Sequence, residues 1–213
     1  SNINVKLNIF IFYHYQSFDA QTLRLILERL STIARATQDG LGPINQTQIR
    51  EAFFDICDYE PDEQANLILQ RMPGLGVYRV EEDTRTFIDV TLAEVCRGGD
   101  IAQFVIDPHK FLQNKGWKKC ISEISKYSGN FSIDRASHDL RKRQIKQGNF
   151  DGAFQSIKNT EQVEVLKADL VSLCLQMGFI PFQSTIISGV EYDEGAIRFG
   201  SEINSASNVI FDG

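Results

Sequence analysis

The chain has 213 residues and a mass of 24.1 kDa, with 42% hydrophobic and 23% charged residues. That apolar fraction excludes a disordered chain, and four cysteines are too few for a disulfide-built scaffold of this length. A net charge of −6 disfavours nucleic acid as a partner on charge alone, which leaves a globular protein of one or two domains.

In chain order, the apolar run Leu7 to Tyr13 reads as a strand. It is far short of the about 20 residues that cross a bilayer, and it lacks the charged start and cleavage site of a signal peptide. Ser1-Asn2 reads as a tag remnant, no Met opens the chain, and Phe211-Asp212-Gly213 ends it straight after a strand-like run. Both ends predict a piece of a longer protein.

Leu23, Ile26, Leu27, Leu30, Ile33 and Ala34 follow helical spacing, and Asp19 can cap this first helix by accepting from a free backbone N–H. Gly40-Leu41-Gly42-Pro43 closes the region, because proline cannot continue a helix. A second helix carries Ile49, Ala52, Phe53 and Ile56, with Asn45 or Thr47 as its cap. A third is predicted to begin at Pro61, with Asp62 and Glu63 on the positive end of its dipole and Ala65, Ile68, Leu69 and Met72 on its apolar face. Val77–Val80 and Arg85–Ile88 then read as a hairpin around an acidic link. Asp89 caps a fourth helix bearing Leu92, Val95, Cys96, Ile101 and Phe104. Three helices followed by a hairpin is the order of a winged helix.

From Asp107 the texture changes. Pro108 opens a linker or short helix, and short helical segments follow around Trp117–Tyr127, Ile133–Gln147 and Phe150–Ile157. Val163, Leu166, Leu170, Leu173 and Met177 mark a stronger helix that Gly178 and Pro181 end. Thr185–Ile187, Ala196–Phe199 and Val209–Phe211 are β-like, as hairpins or the first coil of a β-solenoid. The expected fold class is mainly α with a β-rich C-terminus. It divides into a winged-helix-like domain at 1–106, a helical connector at 107–180 and a β-rich, truncated segment at 181–213.

Residues 45–90 carry four basic side chains against ten acidic ones, a local balance of −6. The third helix would be the reading helix of a DNA-binding winged helix, and its tip is Glu60-Pro61-Asp62-Glu63. Phosphates repel such a tip, so a winged helix that packs against protein is favoured over one that reads DNA. Cations gather later, at Lys118, Lys119, Lys126 and Arg135, and most densely at Arg141, Lys142, Arg143 and Lys146. These last four are either a solvated helix face or an interaction patch for an acidic surface or a phosphate.

No catalytic, cofactor-binding or metal-binding constellation stands out. A phosphate loop of the Gly-x-x-x-x-Gly-Lys-Ser/Thr form is absent. Gly40-Leu41-Gly42 and Gly74-Leu75-Gly76 suit turns, and Gly98-Gly99 suits close backbone packing. His14, His109 and His138 are isolated, and Cys57, Cys96, Cys120 and Cys174 lie 39, 24 and 54 residues apart, without metal or redox spacing. Such cysteines read as buried apolar groups in a reducing, cytoplasmic compartment. Trp117, beside Lys118-Lys119, is a core anchor or a stacking platform.

Arg71-Met72-Pro73-Gly74-Leu75-Gly76-Val77, Thr86-Phe87-Ile88-Asp89 and Leu92-Ala93-Glu94-Val95-Cys96-Arg97-Gly98-Gly99-Asp100-Ile101 resemble the region behind the nucleotide-binding core of bacterial NACHT-type signal-transduction NTPases. Lys167–Val171, followed by spaced Ile-Phe strands, is similar to the opening of a sensor region in such proteins. The resemblance covers residues 18–106 best. It implies a non-catalytic regulatory segment whose partner is the NTPase core of the same parent chain, with other proteins as further partners, and no membrane and no cofactor of its own. Asp89 stands where some members carry a nucleotide-touching histidine after Phe-Ile, so that role does not transfer. The alternative is a nucleic-acid-binding winged-helix regulator. An enzyme of another type would need His109 or His138 to converge with carboxylates in a pocket.

Overall fold

A computed structural model describes residues 19–76, 81, 83–179, 185–188 and 209–212. Among these the chain is mainly helical, with nine helices and four short strands. The expected strands at Leu7–Tyr13, Val77–Val80 and Ala196–Phe199 lie outside the described residues.

Helix α1 (Ala20–Ala34) starts where Asp19 accepts from Thr22 N at 2.6 Å, as the sequence predicts. Strand β1 (Ile44–Asn45) leads into α2 (Gln46–Cys57). There Asn45 and Gln48 form a reciprocal capping box that satisfies two free N–H groups. Helix α3 (Glu63–Gln70) starts two residues later than Pro61. The Asp62 carboxylate accepts from Ala65 N at 2.7 Å, and this side-chain cap rather than the proline ring sets the start.

Strand β2 (Thr84–Arg85) pairs antiparallel with β1, and Leu75 bridges Phe87. The short β1 was not anticipated; two residues are too few for a period to show. Arg85, in β2, is buried and holds this corner together. Its guanidinium donates to the carbonyls of Leu69, Gln70, Met72, Leu75 and Gly76 at 2.8 to 3.1 Å, covering the C-terminal end of α3.

Asp89 caps α4 (Val90–Ile106) through Leu92 N at 2.7 Å. Then come α5 (Pro108–Gln113), α6 (Lys115–Glu123), α7 (Asn130–Lys142), α8 (Gln147–Ile157) and α9 (Glu164–Gln176). Strands β3 (Thr185–Ser188) and β4 (Val209–Asp212) pair in parallel, Thr185 opposite Val209.

Two apolar cores share α4. The first gathers Leu23, Ile26, Leu30, Ile49, Phe53, Ile68, Leu69 and Phe87 and runs to Cys96. The second starts at Ile101 and gathers Phe104, Trp117, Ile133, Leu140, Phe150, Leu170 and Leu173. The change falls inside α4, at Arg97 to Asp100. This segment holds Gly98-Gly99, and both glycines sit at close approaches. A Cβ on Gly98 would lie 2.3 Å from the Ser132 carbonyl oxygen of α7, and one on Gly99 would lie 2.2 Å from Glu28 Oε1 of α1.

Candidate functional site

The surface of α2 and α3 carries the most distinctive arrangement. Phe54, Tyr59 and Leu67 are 44%, 55% and 44% exposed. Around them Glu51, Asp58, Glu60, Asp62 and Glu63 are exposed as well. Tyr59 is held in place by an edge-to-face contact with the buried Phe53 ring, centroids 5.3 Å apart. Phe54 and Leu67 fall outside the apolar stripes of their helices, which was the available signal that they face solvent. A groove of about 730 Å³ borders this surface. Thr47, Arg50, Glu51, Phe54 and Glu60 line one wall, and Gln113, Asn114, Lys115 and Gly116 line the other. Carboxylates, cations and one aromatic face meet there, as at a polar protein contact rather than a deep substrate pocket.

The four cations singled out from the sequence lie at one corner. Arg141 and Lys142 occupy the last turn of α7, Arg143 is its C-cap, and Lys146 precedes α8; all four are exposed. Arg141 Nη2 donates to the Gln176 carbonyl at 3.0 Å. Cations at a helix C-terminus face the negative end of its dipole, so this position is favourable without any partner.

The histidines do not gather with carboxylates. His138 is exposed on α7, and His109 is exposed with a ring nitrogen 2.8 Å from Gln113 Nε2. His14 lies outside the described residues. Trp117 is a core anchor: it is 2% exposed, stacks on Phe104 at 4.6 Å and meets Phe111 edge-on at 5.2 Å. Among the described residues no group of three or more His, Cys, Asp or Glu side chains is placed to hold a metal. No helix there is long and apolar enough to cross a membrane.

A buried ionic lattice lies beneath, along α1 and α4. Arg29 Nη1 meets Asp55 Oδ2 of α2 at 2.9 Å, Arg29 Nε meets Asp100 Oδ1 of α4 at 3.4 Å, and its guanidinium carbon lies 5.2 Å from the centre of the Phe111 ring of α5. Thr32 donates to the other oxygen of Asp100. Arg35 pairs with Asp169 of α9 and donates from Nε to the Lys126 carbonyl at 2.8 Å. Glu94 pairs with Arg97 and accepts from Gly129 N and Ser132 Oγ. Sequence reading missed this lattice because charged residues on a helix are by default exposed. Charges survive burial here because each meets an opposite charge or a hydrogen-bond donor.

Glu28 stands apart. It is 1% exposed, neither carboxyl oxygen forms a hydrogen bond, and burial pushes its pKa up to about 7 against the opposing pull of Arg24 and Arg135. Burial also pushes the thiols of Cys96, Cys120 and Cys174 up to about 12, which disfavours their thiolate forms.

Comparison with family models, with curated proteins and with solved structures returned no match.

Proposed function

We propose that the chain is a non-catalytic regulatory and interaction segment of a larger cytoplasmic NACHT-type signalling NTPase. In this reading residues 1–106 are a winged helix that packs against the nucleotide-binding core, 107–180 are a helical connector, and the β-rich end opens a sensor region. The observation that carries it is the α2–α3 surface. A winged helix that reads DNA needs cations at the N-terminal end of its third helix. Here that end is acidic, and Phe54, Tyr59 and Leu67 stand exposed among the acids. Such a surface gains by covering apolar area with a partner of apolar and basic character, at about 25 cal/mol per Å².

The order helix, strand, two helices and returning strand supports the winged-helix part of the reading. The parallel pairing of β3 with β4 supports a solenoid coil, since hairpins give antiparallel pairs. The four free cysteines accord with a reducing compartment.

The test uses the full parent protein. Glu60→Lys with Glu63→Lys, which reverses the acidic tip and leaves the Asp62 cap in place, is expected to raise basal ATP turnover several-fold by releasing the core. The isolated chain is expected to hydrolyse no ATP. Turnover by the isolated chain, or a parent unaffected by the reversal, overturns the reading. The exposed basic corner favours one rival, nucleic-acid binding. Low-salt binding of duplex DNA by the isolated chain, lost in Arg141→Ala with Arg143→Ala, would establish that rival instead.

A further inference from the structure

Two exposed surfaces of this chain are complementary in charge. The first is the α2–α3 surface, where Phe54, Tyr59 and Leu67 stand exposed among the acids that run from Glu51 to Glu63. No cation lies between Glu51 and Gln70 in the sequence, and Arg50 and Lys115 line the groove that borders this surface. The second is the outer face of α7 with the turn into α8. Positions about seven and about eleven residues on return to nearly the same side of a helix, which sets Phe131, His138 and Lys142 in one line. All three are exposed, Phe131 by 54%. Arg141, Arg143 and Lys146 adjoin the Lys142 end of that line, and no acid lies between Leu140 and Asn149.

The acids of α7 do not cancel that charge. Asp134 accepts from Gln176 Nε2 at 2.7 Å, and Asp139 accepts from Arg135 Nε at 2.9 Å, so both are engaged within the molecule. Both surfaces are exposed in one folded chain, so neither covers the other there. Each offers what the other lacks: apolar area in an acidic setting on α2–α3, and an aromatic ring leading to cations on α7. Covered apolar area gains about 25 cal/mol per Å². Exposed ion pairs add little each, but opposite charges fix orientation and speed encounter.

We infer that a second copy of this chain covers the α2–α3 surface with its α7 face, head to tail. The cations at the end of α7 in one copy meet the acids around Tyr59 in the other, and Phe131 packs on the apolar side chains there. Because the two surfaces differ, the contact is heterologous. Every pair leaves one free surface of each kind, so growth passes the dimer until a ring closes. The inference uses the surface that the proposed function gives to the parent's core but does not rest on that assignment. In the parent the two partners compete for one surface.

The test is sedimentation of the intact chain over roughly a hundredfold range of concentration, at low and at high salt. At low salt the average mass is expected to climb from 24.1 kDa past twice that value, and high salt is expected to lower the association at least several-fold. Two double reversals of exposed residues separate the surfaces: Glu60→Lys with Glu63→Lys, and Lys142→Glu with Arg143→Glu. Each variant alone is expected to stay a monomer, and an equal mixture of the two is expected to associate again. Net charge cannot bring them together, since the chain starts at −6 and each double reversal shifts it by four, to −2 or −10. Phe131→Ser is expected to weaken association several-fold with no change of charge. A wild-type chain that stays at 24.1 kDa overturns the inference, and so does association that survives either reversal or a mixture that stays monomeric. If a reversal variant does not fold, the salt dependence of the wild type and the Phe131→Ser loss decide together. ATP turnover of the parent is not read here, so the proposed function and this inference can fail separately.

Discussion

Arg35, which ends α1, pairs with Asp169 of α9 across 134 residues of chain, and both side chains are almost wholly buried. The pair ties the first described helix to the last described one. Ser128 N donates to the other oxygen of Asp169 at 2.9 Å, and Ser125 N donates to the Arg35 carbonyl at 2.9 Å. Removing one partner leaves an uncompensated buried charge. Arg35→Ala and Asp169→Ala are each expected to lose about 3–5 kcal/mol in equilibrium urea unfolding. The double variant is expected to lose clearly less than the two together, because the second truncation removes the charge that the first stranded. Additive losses would show that the pair is not coupled.

The helices were legible because their apolar positions repeat at helical spacing and their first residues carry capping side chains. Asp19, Asn45 and Asp89 cap the helices that the sequence assigned to them. Pro61 misled by two residues: a favourable first-turn residue does not outweigh the side-chain cap that Asp62 supplies. The lattice was not legible. Glu28, Arg29, Thr32 and Arg35 lie off the apolar stripe of α1, and their burial depends on α4, α2 and α6 covering the helix from other sides, with Arg135 of α7 and Asp169 of α9 reaching in to pair with it. One trace of it was visible, since two adjacent glycines within a helix mark a place where other groups come close. The site was half legible. The acids of α2–α3 show in the composition, but the exposure of Phe54 and Leu67 emerges only once the stripe has been assigned to the core.

Arg85 replaces backbone partners that the end of α3 lacks. Burial lowers its pKa from the usual arginine value, yet a guanidinium stays charged at neutral pH. Lysine has the charge but not the planar fork, so it cannot reach carbonyls on several sides at once. Arg85→Lys is expected to cost about 3 kcal/mol and Arg85→Met more, because each leaves buried carbonyl groups without donors. Thermal unfolding followed by circular dichroism checks the order wild type, lysine, methionine. A lysine variant as stable as wild type would mean that charge alone suffices there.

Thiol reactivity should grade with environment. Cys57 is partly exposed, whereas Cys96 and Cys174 are buried with thiols pushed up to about 12. At pH 8 a thiol of that kind is ionised in only about one molecule in ten thousand. Disulfide-exchange labelling of the folded chain is expected to modify Cys57 first and Cys120 more slowly, with Cys96 and Cys174 modified only after denaturant is added. Mass spectrometry of partly labelled protein reads the order directly. Early labelling of Cys174 would mean that the second core opens readily.

Glycines in different helices should respond oppositely to the same substitution. In α4, a Cβ on Gly98 would stand 2.3 Å from the Ser132 carbonyl oxygen and 2.9 Å from Arg135 Cβ. Backbone there cannot yield cheaply, so Gly98→Ala is expected to push α7 away and cost about 1–3 kcal/mol through overpacking. In α8, a Cβ added to Gly148 or Gly152 would meet nothing within 4 Å, and both glycines are exposed. Alanine there removes freedom from the unfolded chain and adds helix propensity, so each substitution is expected to stabilise by about 0.4–1 kcal/mol. Urea midpoints of the three single variants separate the two effects. A neutral Gly98→Ala would show that α4 and α7 pack less closely than the Ser132 contact indicates, and the carbonyl would then be free to move aside.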